Sequence, residues 1–136
     1  NVSFYEGLEG INALREDVIR SKAKELLEIV PLDDVRKYIS EDVSSDDLRI
    51  KIRKNVTTRA IYSYSKGPVL KKEKGRIDYR YLDPKKNPFN CEVFMYGNKT
   101  VFLSFSGKPT GFLVDSKDVT NTMRMMFEAL WVSAEK

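Results

Sequence analysis

Leu8, Ile11, Leu14 and Val18 recur at spacings of three and four. That spacing predicts one apolar face of a helix running to about Ser21. Before it, Val2–Tyr5 is a short β-prone run that Glu6-Gly7 breaks. Leu26–Val30 is a short apolar run stopped by Pro31, and its length and flanking proline favour a buried strand. Val35 and Ile39, four apart, predict about two helical turns over Asp33–Ile39. Ser44-Ser45-Asp46-Asp47 reads as a helix start, because serine hydroxyls cap free N–H groups and aspartates favour the positive end of the dipole. Leu48 and Ile52 carry that helix to about Asn55. Val56–Tyr64, rich in Val, Thr, Ile and Tyr, predicts a strand.

Downstream the pattern turns to strands. Lys66–Arg76 is basic and holds Gly67-Pro68 and Gly75, which predicts a loop with at most one helical turn. Ile77–Leu82 reads as a strand, and Asp83-Pro84 through Pro88 as a turn or loop. Cys91–Tyr96 and Val101–Phe105 flank Gly97-Asn98-Lys99, the signature of a β-hairpin. Lys108-Pro109 marks a loop before a short strand at Phe112–Val114. Ser116 then caps a final helix with an apolar face of Val119, Met123, Met126, Phe127, Leu130, Trp131 and Ala134. The order β-α-β-α-α-β-loop-β-β-β-β-α predicts an α/β domain: a mixed β-sheet flanked by helices.

Length and composition narrow the chemistry. At 136 residues the chain fits one domain, read as residues 1–136. Cys91 is the single cysteine, which excludes an internal disulfide and a multi-cysteine zinc site. There is no histidine, so Ser-His-Asp triads, Cys-His pairs and His-ligated metals are excluded. Neither a metal nor a cofactor is expected. The net charge of +4 is a mild excess that tolerates nucleic acid without predicting it. No signal peptide and no apolar run of membrane-spanning length is visible, so the chain reads as cytoplasmic and free of the membrane. It begins without methionine on a strand-like pattern, which reads as a fragment of a longer protein.

Charged and aromatic clusters supply the candidates. Glu16/Asp17 and Asp46/Asp47 are sequence neighbours that diverge by about 100° on a helix, so they cannot act as acid/base pairs and take structural or surface roles. The basic stretches Arg49-Lys51-Arg53-Lys54 and Lys66–Arg76 read as solvated surface. Arg59 and Arg80 sit inside strands beside Tyr62, Tyr79 and Tyr81. Such arginines either face solvent and pair with local acids such as Asp78 or Asp83, or point into a polar cleft for carboxylate, phosphate or sugar hydroxyls. Met123, Met126, Phe127, Leu130 and Trp131 read as core or as a dimer seam.

Phe4-Tyr5-Glu6-Gly7 followed by Glu9-Gly10-Ile11 resembles the start of the effector domain of TrmB-like transcriptional regulators. The resemblance continues through Arg53-Lys54-Asn55-Val56, Arg59-Ala60-Ile61-Tyr62, Arg80-Tyr81-Leu82-Asp83 and Met95-Tyr96-Gly97-Asn98-Lys99. It ends in Gly111-Phe112-Leu113-Val114-Asp115 and in Met123-Arg124, Phe127-Glu128 and Leu130-Trp131. It implies a phospholipase-D-like fold and a role in effector sensing and homodimerisation. DNA would be bound through an N-terminal winged helix that this chain lacks. Members that sense sugars carry a further β-rich region, and this chain stops after the Trp131 helix. Enzymatic relatives of the fold use a His-x-Lys-x4-Asp motif. With Cys91–Tyr96 as the motif strand, its positions fall on Phe89, Cys91 and Tyr96, which cannot do that chemistry. The resemblance thus implies a non-catalytic domain.

The expected ligand neighbourhood follows from the same resemblance, near the motif strand: Tyr96 and Asn98, with Glu6 after the first strand. Arg59, Tyr62 and Arg80 join them as candidates, because a cleft-facing arginine needs an anion or a carbonyl partner. The effector would be a sugar, or a phosphorylated or carboxylate metabolite. The alternatives are a purely structural dimerisation module and a degenerate phosphodiesterase or nuclease.

Overall fold

The computed structural model describes residues 1–38 and 46–135. Seven strands and four helices follow one another as β1 (Val2–Glu6), α1 (Gly7–Ser21), β2 (Glu25–Pro31), α2 (Leu32–Tyr38), α3 (Asp46–Asn55), β3 (Thr57–Ser63), β4 (Ile77–Leu82), β5 (Cys91–Tyr96), β6 (Lys99–Ser104), β7 (Thr110–Asp115) and α4 (Lys117–Ser133). The expected caps Ser44 and Ser45, and Ile39 of the second helix, lie outside the described residues.

The strands form one mixed sheet in the order β1-β7-β6-β5-β2-β3-β4. β2, β3 and β4 run parallel, and the other neighbours pair antiparallel. β2 therefore sits inside the sheet with β5 on one side and β3 on the other. Its apolar run is consumed on both faces. Leu26 packs with Ile11, Leu14, Val18, Ile52 and Val56 of α1 and the α3 end, whereas Leu27 packs with Phe127 and Trp131 of α4. A strand buried on both faces needs no polar alternation, which is why Leu26–Val30 reads as a compact apolar run.

Two local devices set the antiparallel half. The β5–β6 connection is a two-residue turn, Gly97-Asn98, with Lys99 already in β6. Gly97 takes a positive φ of 57°, and glycine at the first central position is what a type II′ hairpin needs. In β7, a Cβ on Gly111 would lie 2.7 Å from Leu103 Cδ2 and 2.9 Å from Leu14 Cδ1. The missing side chain lets α1 rest directly on the sheet.

The basic stretch from Lys66 is the loop expected, with turns, an antiparallel bridge between Glu73 and Ile77 and no helical turn. One expectation is corrected. On α4, Ser116 caps as expected, its Oγ accepting from the Val119 N–H at 3.2 Å. The contact stripe is narrower than the apolar pattern, however. Phe127 and Trp131 are buried and Met123 and Leu130 partly so, whereas Val119 and Met126 are exposed. A helix lying on a sheet covers only one narrow stripe, and Met126 is turned about 100° from Phe127.

Candidate functional site

One carboxylate interrupts the apolar run of β2. Glu28 lies opposite Phe94 of β5 and Ala60 of β3, on the face that α1 and α3 cover. It is buried there, at 8% exposure. Arg53, in the last turn of α3, reaches down to it: Nη1 donates to Glu28 Oε1 at 2.9 Å and to Thr58 Oγ1 at 3.1 Å. Arg76 Nη2 in turn donates to the Arg53 carbonyl at 3.1 Å. The Glu28 charge holds the Arg53 guanidinium above its ordinary pKa against the opposing effect of burial. A buried pair of this kind seldom adds stability over apolar packing, so its place in the middle of the sheet asks for another reason.

Beside the pair lies a cavity of about 330 Å³. Its floor is the sheet, with Leu26, Glu28, Ala60, Tyr62, Tyr79, Glu92, Phe94 and Leu103. Its roof is Ile11, Leu14, Arg15 and Val18 of α1, Val35 and Arg36 of α2, and Ile52 and Arg53 of α3. Tyrosines form one wall. Tyr62 meets Tyr79 and Tyr81 edge-on at 5.8 and 5.5 Å, and its hydroxyl accepts the Leu70 N–H at 3.0 Å, tying down the basic loop. Arg36 donates to the Tyr64 hydroxyl at 2.9 Å, with its guanidinium 4.9 Å from that ring centre.

The six residues expected near a ligand are dispersed. Arg59 and Arg80 are on the opposite face, under α4. Arg59 makes a two-pronged contact with Glu128, both bonds 2.7 Å, and lies over the Phe127 and Trp131 rings at 5.3 and 5.4 Å. The Glu128 hydrogen bonds hold the Arg59 guanidinium above its ordinary pKa, and Arg59 holds the Glu128 carboxyl below the usual range. Arg80 donates to the Trp131 carbonyl and stacks 4.5 Å over its ring. Both arginines thus hold α4 to the sheet, and neither pairs with Asp83 or opens on the cavity.

Tyr96 is fully buried under α1, where its hydroxyl donates to Asp17 Oδ2 at 2.6 Å and Lys99 Nζ donates to the same oxygen at 2.8 Å. Burial and that carboxylate push the Tyr96 phenol far up. Burial also pushes the Asp17 carboxyl up, but the bonds from Lys99 and Tyr96 outweigh it and leave the group below its ordinary value. Asn98 is in the hairpin turn, its carbonyl accepting from the Ser116 N–H at 3.0 Å. Glu6 ends β1 and faces Lys108 at 3.4 Å. Of the six, Tyr62 alone is among the cavity's lining residues.

Strand geometry accounts for the dispersal. Side chains three apart in a strand point to opposite faces, so Arg59 and Tyr62 cannot share a site. The expected solvated role of Arg53 is likewise corrected by its contact with Glu28. Glu28 and Arg53 were missed as a pair. The signal for them is a lone carboxylate inside the apolar run Leu26–Val30, which needs a buried cation if both faces of the strand are covered. Among the described residues no three carboxylates or thiols are grouped to hold a metal ion.

No family profile and no curated protein sequence matches this chain. Solved structures do. TrmBL2, an archaeal chromatin protein with a novel mode of DNA binding, matches with a TM-score of 0.65 and 17% identity over 98% of this chain and 53% of that one. Nuc from Salmonella typhimurium, a phospholipase D family member, matches with a TM-score of 0.62 and 10% identity, covering 99% of this chain and 96% of that one. The fold is TrmB-like and phospholipase-D-like. NucT from Helicobacter pylori shares it, with a TM-score of 0.61 and 11% identity over 99% and 98% of the two chains. The chain spans about half the length of TrmBL2 and nearly the whole of the two phospholipase-D-like proteins. The strand expected to carry the motif positions, Cys91–Tyr96, is β5. Cys91 opens it and is exposed, Phe89 packs on the α4 side, and Tyr96 ends it in the buried contact with Asp17.

Proposed function

We propose that this chain is the non-catalytic, effector-binding and dimerising domain of a TrmB-like cytoplasmic transcriptional regulator, whose DNA contacts come from a separate N-terminal winged helix. The observation that carries the effector role is the cavity over β2, with the Glu28–Arg53 pair set in its wall. A concave, largely apolar space with a few convergent polar groups is the usual form of a small-molecule site. The likeness to TrmBL2, a DNA-binding chromatin protein, supports the regulatory setting. The fold is shared with Nuc and NucT, but no histidine is present anywhere in this sequence to serve as the nucleophile of the motif.

The test is a thermal-shift series with sugars, phosphorylated metabolites and carboxylates. A compound that binds the folded state alone raises Tm in a saturable way. The effector role predicts such a shift, lost when Ala60 at the cavity floor is enlarged to Leu. Phosphodiester turnover that survives purification and disappears with one substitution would instead assign the chain to the enzymes.

A further inference from the structure

We propose that the edge of the sheet where β2, β3 and β4 begin is a contact surface for duplex DNA, holding its phosphate backbone without reading sequence. This goes beyond the reading above, which takes DNA contacts from the winged helix alone, and it does not depend on the cavity. Taken one by one along the chain, the basic stretches are solvated surface. The fold brings them together. β2, β3 and β4 run parallel, with Glu25 beside Thr57 and Thr58 beside Ile77, so the segments entering them meet at one end of the sheet. The Lys24 carbonyl accepts the Thr57 N–H at 2.9 Å, and the Arg76 carbonyl accepts the Thr58 N–H at 2.8 Å. Arg76 Nη2, bonded to the Arg53 carbonyl at 3.1 Å, ties the loop before β4 to the last turn of α3. Lys22 and Lys24 between α1 and β2, Lys51 and Lys54 of α3, and Lys74 and Arg76 of the loop therefore share one edge, and all six are exposed. Lys51 and Lys54, three apart, lie on the same face of their helix.

Two acids of this edge are turned to the other face of the sheet. Glu25 stands two residues before Leu27, which packs under α4, and Asp78 is paired with Arg59 on that same face. There Glu25 faces Arg59 at 4.0 Å and Asp78 faces Lys72 at 3.8 Å. Glu73 stays in the loop beside Lys74. The residue types select the partner. An ammonium is a point charge that meets a phosphate from many directions, and phosphate contacts position a protein on DNA without carrying sequence information. Single strands need rings on which their bases stack. The exposed phenylalanines, Phe4 and Phe112, are on β1 and β7, at the other end of the strand order. A lipid surface takes a buried apolar face as well as cations, and Ile50 is the exposed aliphatic group next to Lys51.

The experiment uses the full 136-residue chain and fluorescence anisotropy of two labelled duplexes of unrelated sequence, at salt from about 50 to 200 mM. Backbone amide NMR shifts of Lys54 and Gly75 report contact at this edge. The expected result is equal affinity for the two duplexes, shifts at both amides, and a log–log salt slope of about −3 to −5, the mark of roughly four or five phosphates. Lys51→Glu/Lys54→Glu should weaken binding about tenfold or more and flatten the slope by about 2. Lys85→Glu/Lys86→Glu makes the same change of charge in the exposed loop after β4, at the opposite edge, and should weaken binding less than about threefold. The amide shifts are read on the unaltered chain and stand even where a variant misfolds. Equal weakening by the two double variants overturns the proposal, since net charge alone would then govern binding. So does the absence of duplex binding at the lowest salt, or binding of phosphatidylserine vesicles at those amides with no duplex binding. Each of these outcomes leaves the effector reading in place, whereas failure of the thermal-shift series removes that reading and leaves this surface.

Discussion

Arg53 Nη1 stands 2.9 Å from Glu28 Oε1, joining the last turn of α3 to an interior strand of the sheet across 25 positions of sequence. This bond closes the α3 side of the cavity, and its partners sit on elements that do not otherwise touch in sequence. Removing one partner strands the other. Glu28→Ala is expected to cost about 3 kcal/mol, the lower end of the range for a broken buried pair, because Arg53 keeps 27% of its side chain exposed. The double variant Glu28→Leu/Arg53→Met should recover most of that loss. Urea unfolding of Glu28→Leu, Arg53→Met and the double variant measures the coupling, and strictly additive losses would contradict the contact.

On the opposite face the hold on α4 comes chiefly from burial. Trp131→Ala is expected to destabilise by about 3–5 kcal/mol, since the ring is buried against Phe127 and under both arginines. Glu128→Gln should cost less than about 1 kcal/mol, because that carboxylate is half exposed and water competes for Arg59. Chemical denaturation of the two variants reads the contrast directly. A Glu128 loss equal to the Trp131 loss would mean that the ion pair, not the ring, anchors the helix.

Acid sensitivity should trace in part to Asp17, alongside Glu128. The Asp17 carboxyl is held below the ordinary value of about 4, so the folded state binds its proton less readily than the unfolded chain does. The contribution to stability is therefore complete above the ordinary value and is lost as pH falls through the lower, folded one. Asp17→Asn should flatten the stability profile below about pH 4 and lower stability at neutral pH, where Lys99 loses its partner. Urea midpoints measured from neutral pH into the acid range for both proteins test this, and parallel curves would refute it.

Dimerisation has a physical candidate on the α4 side of the sheet. Phe4 and Phe112 pack edge-to-face at 5.1 Å yet remain exposed, and Met125 and Met126 of α4 are exposed as well. A second copy covering such a surface would remove it from water. Sedimentation at micromolar concentration is expected to show a dimer, and Phe4→Glu or Met126→Glu to shift it toward monomer with little change in the unfolding of the isolated chain. A wild-type monomer across that range would count against this face.

The alternation of patterns was enough to determine the elements, their order and the mixed α/β class. Helical spacing at Leu8–Val18 and the compact run Leu26–Val30 are local consequences of period and burial, and they survive in the structure as α1 and β2. The absence of histidine also belongs to the sequence alone. What the sequence could not decide was which side chains meet. Arg59, Tyr62 and Arg80 look like one cluster on the strand pattern, but pairing in register sets Arg80 beside Ile61 and leaves Tyr62 on the other face. Glu28 and Arg53 look like unrelated charges until β2 is enclosed by β3 and β5 and α3 is laid across it. Period along a chain is a one-dimensional property. The cavity exists only because three helices and a sheet converge on it, and that convergence is set by strand order and register across the whole chain.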